Sequence, residues 1–306
     1  MYQFFLHLLT LLGINIILSA SLNVINGFCG LFSLGHAGFF AVGSYAGATF
    51  TTLVAPEFAL AHPILALVIA VVIGFVAACI AGAIVGIPCL RLTGDYLAIA
   101  TIGFSEIIRI FLLNYDYVGG SRGLTGIPKL TDVSFGTGES AFSLSGAPIT
   151  LAFAGLVLFL LNNLIHSSYG RCILSIREDE IAARSMGINV RFYKTFSFII
   201  AAGFAGLAGA LFAHYQEFLS PNSFNFQMTV NILLMVVIGG LSSFRGAILG
   251  AAIVTVVPEL LRFNETLSQM RMLVFGVIMI VLMLVQPEGI MGMFKRKVKT
   301  NANANA

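Results

Sequence analysis

The chain has 306 residues, of which 58% are hydrophobic and only 9% charged, and its formal net charge is +3. A soluble domain carries about 25% charged residues, so this composition excludes one. Apolar stretches of the roughly 20 residues needed to cross a bilayer recur from end to end, which excludes a soluble protein with a single anchor, and the small net charge gives no footprint for nucleic acid.

The first apolar stretch, residues 4–25, carries His7, Asn15 and Asn23 and lacks a basic n-region and a small-residue cleavage site. It is expected to be a retained helix rather than a signal peptide. Residues 36–54, HAGFFAVGSYAGATFTTLV, mix glycines with polar residues, a pattern that suits a span or a re-entrant or broken helix held among its neighbours. A third span is expected at 64–87 and a fourth at 95–114, opened by Asp95 and Tyr96, where capping competes with gating. Within it Glu106 and Arg109 stand three apart on one helix face and are expected to form an intramembrane ion pair. Ionisable residues inside spans are functional candidates by default, and a pair that only fixes neighbouring helices is the other reading.

A segment rich in Gly, Ser and Thr follows, from Asn114 to Pro148, and reads as turns with little core of their own. Further spans are expected at 148–166, 195–215, 227–243, 246–263 and 271–287, with Glu259 and Arg262 pairing near one boundary. The fold class is therefore all-α, a polytopic membrane protein of about nine helices, with eight to ten the range. Residues 1–294 form one transmembrane domain with a loop at 167–194, and 295–306 are a basic, then disordered, tail ending TNANANA. AAGFAGLAGALFA from Ala201 has the small residues that let helices approach closely. The segment GLFSLGHA from Gly30 echoes GLSSFRGA from Gly240, as parallel repeats or by chance.

Placing the 167–194 loop inside puts Arg171, Arg177, Arg184, Arg191, Lys194, Arg91, Arg245 and the basic residues of the tail on the same side, leaving Arg122, Lys129, Arg262 and Arg271 outside. The positive-inside bias then makes the C-terminus cytoplasmic. Cys29, Cys79, Cys89 and Cys172 form no CxxC pair and are expected to be packing residues. Neither a Walker A nor an HExxH sequence is present, and there is no Ser, His and Asp constellation. No catalytic residue, metal site or bound cofactor is therefore expected in this chain.

Charge gathers in SIREDEIAARSMGINVRFYKT, residues 175–195. Ser175 with Glu178 matches a capping box, Asp179 and Glu180 add negative charge to a first turn, and Gly187 stands where a left-handed cap would end a helix. A helix is expected from Ile176 to Met186, about 16 Å long and too polar to span. The flat pair Ala182 and Ala183, with Ile181 and Met186, suits docking by another protein; a solvated connecting loop is the alternative.

GRCILSIREDEIAARSMGINVRFYKTFSFIIAAGFAGLAGALFAHY resembles the cytoplasmic coupling segment of permease subunits in bacterial ABC importers, specifically branched-chain amino-acid permeases of the LivM type. The resemblance continues in GLFSLGHAGFFAVGSYAGA, LRLTGDYLAIATIGFSEIIRIFLLN, GGSRGLTGIP, LLMVVIGGLSSFRGAILGA and QPEGIMG, in one consistent order over most of residues 25–293. It implies a multi-pass permease of the bacterial inner membrane, partnered by a second permease subunit, two ATPase subunits carrying the ATP and Mg, and an external substrate-binding protein. It also implies that Glu178, Asp179, Glu180, Ala182, Ala183 and Gly187 are the ATPase-coupling residues, although Ile181 stands where the general motif has Glu directly before the alanines.

Branched-chain or other hydrophobic amino acids are the substrate class the resemblance implies. Polar groups for such a pathway are expected, by position, at Tyr96, Thr101, Ser105 and Asn231. Related permeases carry urea, short amides or sugars and nucleosides. An ion-coupled secondary transporter would instead need an ionisable relay near the bilayer midplane.

Overall fold

The computed structural model describes residues 2–92, 94–129, 133–135, 142–144 and 146–260, with positions 276, 289 and 291. Eleven α-helices lie among them. They are α1 Tyr2–Asn23, α2 His36–Thr49, α3 Pro56–Ala61, α4 Pro63–Cys89, α5 Asp95–Asn114, α6 Ala147–His166, α7 Ser168–Glu178, α8 Glu180–Ser185, α9 Val190–Gln216, α10 Phe226–Gly239 and α11 Phe244–Leu260. Single π-helical turns, Val24–Phe28 and Phe50–Val54, extend α1 and α2. A hairpin of β1 Val133–Phe135 and β2 Phe142–Leu144 is the small departure from an all-helical chain.

Six of these helices are long and apolar enough to cross a membrane, those at Gln3–Phe28, His36–Val54, Pro63–Cys89, Asp95–Asn114, Ala147–His166 and Val190–Gln216. They agree with the first six expected spans, and residues 36–54 form one continuous helix rather than a broken one. The expected span 227–243 is shorter: α10 ends at Gly239, because Gly240 (φ 106°) and Ser242 (φ 61°) leave the helical region. Fourteen residues give about 21 Å, against an apolar thickness of about 30 Å. Of the expected span 271–287 position 276 alone is described, and Arg262 and the tail lie outside the described residues.

Helices α1, α2 and α9 make the interior. Phe39, Phe40, Phe198 and Phe224 are fully buried there, with Phe40 5.3 Å from Phe212 and 5.5 Å from Phe224 between ring centres. α9 is bound to α2 and α4 by glycine: a side chain at Gly43 would strike the Gly206 backbone, and one at Gly206 would strike Gly74 and Ala78. Close backbone approach of this kind replaces the hydrophobic driving force that is missing between helices in lipid. The small residues of AAGFAGLAGALFA thus face α2 and α4, and Ala201, Ala202, Ala205 and Ala208 are fully buried.

The outer helices show the reverse. Ile64, Val68, Val72, Val76, Ile80 and Ile84 form an exposed stripe along α4 at four-residue spacing, the surface expected to meet lipid. Polar groups inside the bundle find partners: Asn15 donates to Thr255 at 2.8 Å, and His214 meets Thr51 at 2.9 Å and the Ala210 carbonyl at 2.7 Å. His36 contacts Ser21 at 2.8 Å through Nε2, while its Nδ1 has no partner among the described residues.

Candidate functional site

The charged run folds differently from its expected single helix. Ser175 lies inside α7, where its hydroxyl donates to the Cys172 carbonyl at 2.8 Å, so it is not a cap. The capping box fails because α7 is capped eight residues earlier, by Ser167, whose Oγ accepts from the Gly170 amide at 3.4 Å. The chain breaks instead at Asp179 (φ −154°, ψ 110°). Its Oδ1 accepts from the amides of Ile181 at 2.8 Å and Ala182 at 2.9 Å, as aspartate does well at an N-cap. Glu178 closes α7 beside Arg177 at 3.8 Å.

Gly187 does end α8, with φ 82°, and the Ile188 amide reaches back to the Ala183 carbonyl at 3.1 Å. The alanine pair is split. Ala183 is buried in a small core with Ile176 and Val190, whereas Ala182 is exposed, because successive helical residues point about 100° apart. Ile181 on α8 and Met186 just past its end are 79% and 82% exposed and flank Ala182, an apolar patch with a small centre beside the exposed Arg184. Glu180 turns sideways to Arg184 at 3.1 Å and to Lys194 at 2.6 Å, which fastens α8 to α9.

Arg177 fastens the other side of this elbow. Its guanidinium donates to the Gly27 carbonyl at 3.1 Å and to the Ser242 hydroxyl. Ser242 Oγ itself donates to Gly27 at 2.7 Å, and its amide donates to Asn23 Oδ1 at 3.0 Å. The two echoing segments meet at this point: Gly30 (φ 72°) lies against the Arg177 side chain, and Gly240 opens the turn that carries Ser242. The last turn of α1, the end of α10 and α7 are therefore one hydrogen-bonded joint.

At the far end of α10 is a groove of about 470 Å³ lined by Ile102, Glu106, Arg109, Asn222, Asn225 and Phe226. Arg109 Nε donates to Glu106 Oε1 at 2.9 Å, Nη2 contacts the same oxygen, and Nη1 donates to Asn222 Oδ1 at 3.0 Å. Of the four residues placed on the pathway by position, Thr101 and Ser105 are buried against α2. Thr101 Oγ1 accepts from the Leu34 amide at 3.0 Å and donates to Ala98 at 2.9 Å, and Ser105 backs onto Gly38. Tyr96 is 72% exposed at the start of α5, and Asn231 is half-buried on α10, accepting from Gln227 at 3.5 Å.

Residues 4–283 match the family model described as the branched-chain amino acid transport system permease component. This chain belongs to that family of membrane permeases. It is 38% identical to the high-affinity branched-chain amino acid transport system permease protein LivM of Escherichia coli K12, over 96% of the chain and 72% of that relative. The probable LivM of Methanocaldococcus jannaschii is 27% identical over 91% and 90%. LivH of Escherichia coli K12 is 29% identical over 63% of each chain. No solved structure matches significantly.

For this permease, the sequence reading missed Arg177, Ser242, Asn222 and Asn225. Asn225 had a local signal, since an Asn directly before an apolar helix is a good N-cap; its Oδ1 accepts from the Met228 amide at 3.1 Å. The others are joined across 65 to 219 residues of sequence and had none. Among the described residues no group of three or more His, Cys, Asp or Glu side chains is placed to hold a metal ion.

Proposed function

We propose that this permease is one half of the channel of an ATP-driven importer of branched-chain or other hydrophobic amino acids. Residues 1–294 act as one transmembrane domain, with a second permease subunit beside it, two cytoplasmic ATPase subunits holding ATP and Mg, and an external binding protein. The C-terminus and the 167–194 loop lie in the cytoplasm, in keeping with their share of Lys and Arg. The observation that carries this reading is the exposed Ile181, Ala182 and Met186 face on an elbow braced on both sides, by Arg177 to α1 and α10 and by Glu180 to α9.

A free loop could not transmit force, whereas a braced one can. ATP binding draws the ATPase subunits together, α8 moves with them, and the joint at Gly27 and Ser242 passes the motion to α1 and α10. The ATPase acts only by binding one arrangement of the spans better than the other. Glu178 and Asp179 border the docking face, with Asp179 capping α8. Ala183 and Gly187 fix its seat and its end. The substrate path runs along α5 from Tyr96, past Asn231 on α10, with Thr101 and Ser105 pinning α5 to α2.

Proteoliposomes holding the whole complex test this. Leucine uptake should require ATP, the ATPase subunits and the binding protein. Uptake by this chain without ATPase subunits, driven by a proton or sodium gradient, would overturn the proposal.

A further inference from the structure

The groove beside α5 contains both a carboxylate and a guanidinium, on a helix that between its polar ends otherwise exposes Ile99, Ile107, Ile110 and Phe111. Charged side chains within a span are costly and are retained where they line a path or pair. Here they do both. Glu106 and Arg109 are 43% and 21% exposed, so the pair opens to the groove instead of being sealed between helices. Glu106 accepts through Oε1 alone, and among the described residues nothing donates to its Oε2. Asn222 and Asn225 both use Oδ1 to accept, which leaves their amide NH₂ groups as donors on the opposite wall. Ile102 and Phe226 supply an apolar floor and rim. At about 470 Å³ the space falls in the range of about 300–1,000 Å³ usual for small-molecule sites.

We infer that Glu106 and Arg109 form a receiving subsite for the zwitterionic end of an α-amino acid, the carboxylate on Arg109 and Asn222 and the ammonium on Glu106. This rests on the proposed transport of amino acids. A zwitterion exchanges the internal ion pair for two new ones, so no charge is stranded at any stage, and Arg can bind a carboxylate with two parallel N–H bonds. A neutral amide or a sugar would break the pair without replacing it. Position agrees with a receiving role: the groove is at the Asn225 end of α10, about 21 Å from the Gly239 end that leads to Arg177 and the coupling elbow. The same helix is thus held at one end by the ATP-driven joint and borders the subsite at the other.

The test uses the complete complex in proteoliposomes, with E106Q/R109Q in this chain. Removing both charges together leaves neither one unpaired and keeps a polar, hydrogen-bonding side chain at each position, so assembly is expected to survive. ATP hydrolysis stimulated by leucine-loaded binding protein should continue, while leucine moved per ATP falls about tenfold or more, the scale of one lost charge-assisted hydrogen bond. Unchanged leucine per ATP would overturn the subsite while leaving the proposed function standing. Absence of leucine uptake by the unmodified complex would overturn the proposed function, and the subsite with it. Should the double variant not assemble, Ile102→Cys decides: an impermeant thiol reagent added outside should label it above the level of the native cysteines, and leucine-loaded binding protein should slow that labelling. Equal labelling with and without leucine overturns the inference.

Discussion

Arg177 Nη1 donates to the carbonyl oxygen of Gly27 at 3.1 Å, across 150 positions of sequence, and so ties the short α7 to the last turn of the first span. Because the same guanidinium touches Ser242, the elbow of α7 and α8 is fixed both to α1 and to the turn after α10.

Arg177→Met removes this tie while Ser242 still satisfies Gly27 at 2.7 Å. The bundle should therefore keep its thermal stability to within about 1 kcal/mol, the net value of a typical hydrogen bond. Transport should suffer more than hydrolysis: leucine moved per ATP is expected to fall in reconstituted vesicles. An equal fall in both would mean that the residue serves only assembly.

Lys194→Met leaves Glu180 held by Arg184 alone, an exposed i, i+4 pair of little strength. Amides of α8 should then exchange with deuterium faster, by the ratio that a local loss of about 1 kcal/mol gives, while those of α9 beyond its first turn stay as they were. Lys194→Arg should restore the slow exchange. Identical exchange in all three proteins would show that the 2.6 Å contact adds nothing.

Gly187 separates backbone from docking. Its φ is 82° and a side chain there would meet nothing within 4 Å among the described residues, so Ala costs only the left-handed conformation, about 1–2 kcal/mol. Asn tolerates that conformation better. Gly187→Asn should keep ATPase association in a pull-down from detergent, and Gly187→Arg should lose it by obstructing the docking face. If both behave alike, the position matters for the turn only.

Gly206 and Gly155 make a matched pair. Gly206→Val would drive a branched side chain into Gly74 and Ala78, and overpacking of this kind costs about 1–3 kcal/mol or more. The monodisperse yield in mild detergent should fall sharply. Gly155→Ala lies in an exposed stretch of α6 with nothing within 4 Å among the described residues, and should be neutral or gain about 0.5–1 kcal/mol from helix propensity. A stable Gly206→Val protein would contradict the packing of α9.

The long spans were legible because apolar length is a strong local signal, and the Gly and Ala run of α9 announced a close contact without naming its partners. The elbow was half legible. Charge and Gly187 marked a helix and its end, but two residues competed to start it, and Asp179 won because Ser167 had already begun α7. The α10 boundary misled for the opposite reason: VVIGGLSSF is apolar enough to continue a span, yet Gly240 and Ser242 turn the chain. Thr101 and Ser105 show the limit of reading polarity within a span, since their hydroxyl side is held against α2. The groove at Arg109 needed Asn222, 113 residues away, to be seen at all.

On the proposed function, the exposed face around Ala182 on α8 receives an ATPase. Ala182 lies exposed between Ile181 and Met186 on that face, and a long charged side chain there should hold the partner off without disturbing the buried Ala183. The direct measurement is the composition of the complex purified with Ala182→Arg in this chain. The second permease subunit should co-purify at its normal ratio while the ATPase subunits are lost; full recovery of the ATPase subunits, with ATP-driven leucine uptake intact, would contradict docking at α8.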